Sequence, residues 1–305
     1  GDWVSKGNLN SKEDPKRTFG ISERACEFIE KQVDNDSPFF MQVSYYAVHV
    51  QNYALESTKE KYRNKKPGNK SVPRDFEMPP PPLNEGIVSY AAMLEDLDTG
   101  FGMILDKLDE LGISENTYVI FTSDNGGGFR GNNPLKMGKA DLWEGGIRVP
   151  LIVKWPNVVE SGSECNTPVM GTDFFPTILD IVGLKSRPEC HIDGINIVPL
   201  LKQEVDHLER DALYWHYPNY IGAGHPGGAR PCSVIRKGDW KLIESLENGQ
   251  LELFNLKEDL GEKNNLALTL PRKANELRQA LHTWRRDAKV QMPKPNPSFD
   301  KKLNN

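Results

Sequence analysis

Asp124-Asn125-Gly126 follows an apolar run from Thr117 to Thr122, with Ser123 between them and two more glycines behind. A carboxylate beside a carboxamide offers two hard oxygen donors, and the glycines give the backbone freedom to present them. That chemistry suits Ca²⁺, or Mg²⁺. Calcium takes about six to eight oxygens, so further donors must come from elsewhere; the same three residues also favour an ordinary turn. Lys139, directly after Gly138, could act as a point charge on a tetrahedral oxyanion such as sulfate or phosphate, or be a solvated surface lysine. His49 follows the run Phe39 to Tyr46 and could serve as general acid, anion ligand, metal ligand or structural histidine. His216 lies in the aromatic segment Trp215 to Tyr220, and His225 lies just beyond it. Loop histidines flanked by aromatic rings suit polar ring-shaped ligands, and surface packing explains them equally well.

These residues need elements to hold them. Ile21, Ala25, Phe28 and Ile29 recur at helical spacing and predict an amphipathic helix to about Val33. Phe39 to Tyr46 is rich in β-formers and predicts a buried strand that delivers His49. Residues 51–85 predict a long irregular excursion, basic from Lys59 to Lys70 and then proline-rich. Met93, Leu97, Phe101, Ile104 and Leu108 predict a long helix over 86–111, with Gly112 as its cap. Thr117 to Thr122 predicts a fully buried strand, Val149 to Val153 a second strand, and Phe174 to Val182 a helix closed by Gly183. Strand alternating with helix predicts an α/β layered fold with a largely parallel sheet, in which ligands sit at the carboxyl ends of strands. After about Asp206, three short strands (Ser233–Arg236, Trp240–Ile243, Leu251–Phe254) are separated by turns at Gly238 and Gly249. They predict a small antiparallel sheet with a packed helix over 271–287 and an extended tail. The domain reading is therefore 1–205 and 206–305.

Across 305 residues the chain carries 38 Lys+Arg against 43 Asp+Glu, a formal net charge of -5. That balance lacks the basic footprint of a nucleic-acid binder, and no run of 18 apolar residues predicts a membrane span. The four cysteines, Cys26, Cys165, Cys190 and Cys232, are too widely spaced for paired metal-binding motifs. Were one bridge to form, loop composition favours Cys165 with Cys190; four free thiols is the simpler expectation. No signal peptide is visible at Gly1-Asp2-Trp3.

Five segments, in order and spacing, resemble the sulfatase family of the alkaline phosphatase superfamily: Phe121 to Gly126, Gly138-Lys139 with Trp143 to Pro156, Asp173 to Thr177, Asp193 to Asn196, and Gly238 to Leu242. The resemblance covers most of the chain. It implies an alkaline-phosphatase-like layered sheet and hydrolysis of sulfate monoesters, on a sulfated small molecule or glycan. Asp124 and Asn125 would match two of the family's four calcium ligands, Lys139 the sulfate-binding lysine, and His49 the acid for the leaving alcohol. The family's second histidine, three positions on, is Asn52 here. Family members use a formylglycine made from a Cys/Ser-x-Pro-x-Arg motif, and no cysteine or serine of this chain has that sequence around it; Ser71-Val72-Pro73-Arg74 lacks the intervening residue. The paired aspartates of the metal site also have no counterpart. The resemblance thus implies a nucleophile supplied by an N-terminal segment outside this sequence, as a longer protein or a separate partner chain. It further implies an extracellular, periplasmic or lysosomal location. A phosphatase or phosphodiesterase of the same superfamily, or a non-catalytic binding chain, are the alternatives.

Overall fold

The computed structural model describes residues 10–65, 84–128, 132–220 and 230–294. The chain divides into two compact units, Gly1–Val119 with Lys154–Glu160, and Ile120–Val153 with Ser161–Asn305.

The first unit is helical. In α1 (Thr18–Asp34), Ala25, Cys26 and Ile29 pack against Ile104 and Leu108 of α3 (Glu85–Glu110), as the spacing of their apolar positions requires. Both helix starts have a polar side chain for their orphan amides. Asp14 accepts from Phe19 and Gly20 N–H at 2.9 and 3.0 Å, and Asn84 accepts from Ile87 N–H at 3.1 Å. Gly112 closes α3 at φ +68, with Ile113 N–H donating to the Leu108 carbonyl at 3.0 Å, a left-handed cap that glycine adopts without strain.

Two expectations change here. The excursion at 51–85 contains a helix, α2 (Glu56–Arg63). Its start is set from below by buried Asp96 of α3, which accepts from Leu55 N–H at 2.8 Å and Thr58 Oγ1 at 2.7 Å. Its basic residues are also paired: Lys59 lies 3.3 Å from Glu56, Arg63 3.0 Å from Glu85, and Lys61 against Glu95. The rest of the basic run, 66–70, lies outside the described residues. The second change is Phe39 to Tyr46, which is neither a strand nor fully buried. Phe39, Met41, Val43 and Tyr45 pack on the α1–α3 core while Phe40, Gln42, Ser44 and Tyr46 are exposed. The period of two is there, but among the described residues no neighbouring strand supplies a ladder.

β1 (Val119–Thr122) and β2 (Leu151–Lys154), which belong to the second unit except for Val119 and Lys154, form a two-stranded sheet, with the short α4 (Glu144–Ile147) between them in sequence. β1 is half-buried to exposed instead of fully buried. Next come α5 (Phe174–Ile181), closed by Gly183 at φ +69, and α6 (Val198–Leu201). Buried Asp173 organises this stretch by accepting from Met170 and Ile195 N–H at 2.8 and 2.9 Å and pairing with Arg210 through both guanidinium nitrogens.

The C-terminal sheet has four antiparallel strands in the order β3 (Leu213–Tyr217), β4 (Cys232–Lys237), β5 (Trp240–Ser245), β6 (Leu251–Asn255). The residues of β3 have the sequence texture of a loop; pairing of Trp215 with Val234 and His216 with Ser233 makes them a strand. Side chains alternate across the sheet. Ile235, Leu242 and Leu253 meet Ala274, Leu277 and Leu281 of α7 (Pro271–Asp287) on one face, while Val234, Ile243 and Phe254 form a second core on the other. Burying each large aliphatic side chain stabilises the sheet by about 1.5–3 kcal/mol. On the α7 face, Glu244 takes Arg278 Nε at 2.8 Å, His282 Nε2 at 2.8 Å and an Arg285 guanidinium nitrogen at 2.5 Å. All four cysteines are free, so the Cys165–Cys190 bridge is not formed. No described helix is long and apolar enough to cross a membrane.

Candidate active site

β1 ends at Thr122, whose Oγ1 donates to the Pro150 carbonyl at 2.9 Å. The chain then turns through Ser123, whose hydroxyl donates to the Asn125 carbonyl at 3.0 Å. Asp124 is exposed and Asn125 half-buried. From there the backbone runs against a second loop. Gly126 N–H donates to Gly146 O at 2.9 Å, Lys139 N–H to Gly127 O at 2.8 Å, and Gly145 N–H to Lys136 O at 2.8 Å. The carboxamide of Asn132 joins the same backbone, donating to the carbonyls of Gly127, Met137 and Gly145 at 3.0, 2.9 and 3.2 Å. A Cβ on Gly126 would stand 1.8 Å from Gly145 O, so the two loops meet at a distance only glycine permits.

The oxygen-donor pair and Lys139 therefore share one loop junction. Lys139 is exposed, and its ammonium has no ion-pair partner among the described residues. Asp124 and Asn125 suit a hard cation in donor chemistry, but they supply two of the oxygens such an ion takes, and no group of three or more His, Cys, Asp or Glu side chains is gathered among the described residues. His49 lies in the first unit, exposed, with its Nδ1 donating to the Val50 carbonyl at 2.7 Å. His216, on β3, has both ring nitrogens engaged, Nδ1 with Ser233 Oγ at 2.7 Å and Nε2 with the Gln291 carbonyl at 3.0 Å; it braces the sheet. His225 lies outside the described residues.

Beneath the junction is a feature that sequence reading missed. Lys241 of β5 is fully buried between Glu144 and Glu262, its Nζ 2.9 Å from Oε1 of each. The Glu144 N–H donates to Glu262 Oε2 at 2.7 Å, and Arg236 and Arg148 approach Glu144 Oε2 at 3.7 and 3.8 Å. Burial pushes the Glu262 carboxyl above the usual carboxylate range, with Lys241 opposing it. Lys136 donates to the Glu262 carbonyl at 3.1 Å and lies over the Trp143 and Phe254 rings at 4.9 and 5.2 Å. The available signal was positional: Lys241 and Glu244 flank the apolar, buried pair Leu242–Ile243 in one strand, where a charge needs a partner.

Comparison with known proteins gives the class first. A solved structure, that of Ps i-CgsB in complex with k-i-k-neocarrahexaose, matches with a TM-score of 0.72 at 27% identity over 88% of this chain and 54% of that one, which sets the chain in the α/β layered class. The family model described as Sulfatase matches residues 6–184, and that of the C-terminal part of N-sulphoglucosamine sulphohydrolase matches residues 137–290. The chain belongs to the sulfatase family. It is 35% identical over 289 residues to a sulfatase of Formosa agariphila, covering 88% of this chain and 48% of that protein. It is 32% identical over 218 residues to steryl-sulfatase of Rattus norvegicus, covering 68% of this chain and 33% of that protein. The chain thus spans about half or less of the length of these curated relatives.

Proposed function

We propose that the protein to which this chain belongs hydrolyses sulfate monoesters, with a sulfated carbohydrate as substrate and Ca²⁺ or Mg²⁺ in the site. The observation that supports this reading is the loop junction, where backbone hydrogen bonds hold the Asp124-Asn125 loop against the Lys139 loop in a chain of the sulfatase family. Asp124 and Asn125 would hold the cation through their side-chain oxygens. When bound, such an ion supplies positive charge to sulfuryl oxygens as negative charge develops there.

Lys139 donates to a sulfuryl oxygen from the same junction; it is exposed, and among the described residues its ammonium has no ion-pair partner to give up. His49 is assigned, by the family resemblance, to protonate the ester oxygen. Its Nδ1 hydrogen is committed to the Val50 carbonyl, so Nε2 is the nitrogen that delivers the proton. Overall the bond from sulfur to the ester oxygen breaks, that oxygen takes a proton and leaves as the alcohol, and sulfur gains an oxygen derived from water. The nucleophile, a formylglycine by the resemblance, comes from a segment outside these 305 residues, so this chain alone is inactive. A carbohydrate substrate is favoured by the related structure solved with k-i-k-neocarrahexaose, and the location proposed is extracellular, periplasmic or lysosomal.

The test is turnover by the complete protein on sulfated oligosaccharides, a steroid sulfate and an aryl sulfate, with the matching phosphate esters as controls. Sulfated oligosaccharides should give the highest kcat/KM. Lys139→Ala should lower turnover by about 10²–10³-fold, the size of effect seen on losing one preorganised charge-stabilising donor, with little change in thermal stability. Equal turnover by wild type and Lys139→Ala, or preference for phosphate, would overturn the reading.

A further inference from the structure

We propose that Lys241 and Glu262 are positioning residues for the proposed sulfate site: they clamp both ends of the Lys139 loop from β5 and from the segment that follows β6. The inference rests on the sulfatase reading of the junction. Glu262 grips the loop at two points, its carbonyl accepting from Lys136 Nζ at 3.1 Å and its carboxylate from the Glu144 N–H at 2.7 Å. Lys139 lies between them in sequence. Lys241 then fixes the Glu144 carboxylate at 2.9 Å and draws on the second oxygen of Glu262. Glu144 is thereby held at its backbone and at its side chain.

The two glycines after Glu144 carry that restraint to the ligands. Gly145 N–H returns to Lys136 O, and Gly146 O takes Gly126 N–H, one residue beyond Asn125. A restraint applied at Glu144 therefore passes along a short stretch of backbone and one hydrogen bond to the donor pair, and it reaches Lys139 from both sides. Burying three charges completely is not the most stable way to fill a core, since apolar residues of similar volume often serve as well or better. The hydrogen bonds from Lys241 to Glu144 and from the Glu144 N–H to Glu262 have fixed directions that apolar contacts lack, and direction is what a loop presenting charges to an oxyanion requires.

Amide hydrogen exchange on the complete protein tests this, with Lys241→Met as the main variant because it keeps the stem and removes the charge. The amides of Gly126 and Lys139 should exchange at least 10-fold faster than in wild type, while those of β3 and β4 change by less than about 3-fold. Glu262→Gln, which keeps an acceptor for the Glu144 N–H, should accelerate the same two amides by a smaller factor, about 3-fold. If Lys241→Met does not fold, Glu262→Gln decides the matter alone. In the complete protein both variants should lower kcat more than they raise KM. Unchanged exchange at Gly126 and Lys139, or acceleration spread evenly over loop and sheet, would overturn the clamp. A wild-type protein that turns over no sulfate ester would instead sink the functional reading, leaving the exchange result to stand or fall separately.

Discussion

Replacing Gly126 by alanine should damage the candidate site and leave the rest of the second unit folded. The added Cβ would lie 1.8 Å from Gly145 O, whereas side-chain Cβ atoms do not come within 3.0 Å of a neighbour. One strand of backbone must therefore retreat by at least the 1.2 Å difference, and the obstacle is a main-chain carbonyl that cannot rotate aside. Such overpacking costs about 1–3 kcal/mol. The Gly126–Gly146 hydrogen bond at 2.9 Å stretches beyond useful length in the process, which adds about 1 kcal/mol. The sum, about 2–4 kcal/mol, should lower the melting temperature by roughly 4–16 °C for a unit of this size. Gly128→Ala is the control in the same loop, because a Cβ there meets nothing within 4 Å; it should shift stability by less than about 0.5 kcal/mol. Differential scanning calorimetry and Ca²⁺ titration of the three proteins measure both effects. Gly126→Ala with the melting temperature and cation response of Gly128→Ala would show that the two loops are not pinned as described.

Two further outcomes are expected from the C-terminal sheet and the cysteines. At Glu244, burial alone would raise the carboxyl pKa, but His282, Arg285 and Arg278 outweigh it and hold it below the usual carboxylate value of 4.5. A depressed folded-state pKa adds stability above the unfolded-state value that is lost as pH falls through the folded value. Acid unfolding monitored by tryptophan fluorescence should therefore show a stability loss beginning near pH 4.5 and deepening below it. Glu244→Gln should flatten that loss and cost about 3 kcal/mol at neutral pH. A variant with the wild-type acid profile would refute the role given to this carboxylate. Burial pushes the Cys232 thiol up to about 12, while Cys165 and Cys190 are exposed. A thiol reagent at about pH 8 should label Cys165 and Cys190 quickly and Cys232 only after denaturation, which mass mapping of the labelled peptides would check.

The helices were legible because their apolar positions recur every three or four residues, and α1, α3, α5 and α7 fall where Ile29, Ile104, Phe174 and Leu277 put them. The three strands β4 to β6 were legible from their turns, with Gly238 at φ +57 and Gly249 at φ +70. β3 was not, since Trp215-His216-Tyr217 before Pro218 has the texture of a loop and becomes a strand only by pairing with residues 232–236. α2 escaped because it is polar throughout, and its start is fixed by Asp96, 41 residues from Leu55 and 38 from Thr58 in sequence, not by its own pattern. At the candidate site, Asp124, Asn125 and Lys139 could be picked out by type and by position after a strand. Glu144 and Glu262 could not, and Lys241 only by its place beside the apolar Leu242–Ile243, because a charged side chain reads as solvated until its partner is known, and here the partners lie 97 and 118 residues apart in the chain.

That separation bears on biosynthesis. Lys136 leaves the ribosome 126 residues ahead of the glutamate whose carbonyl it meets. At ordinary rates of synthesis that is a wait of about 6–25 s. The Asp124–Lys139 junction can close on itself early, but its two ends find their common anchor only after the strands β4 to β6 have been made. A premature stop shortly before Glu262 would leave Asp124, Asn125, Lys139 and Lys241 encoded and would release a loop without the carboxylate and carbonyl that hold its two ends. In a nascent chain, a working arrangement of those groups is therefore reached well after the groups themselves have emerged.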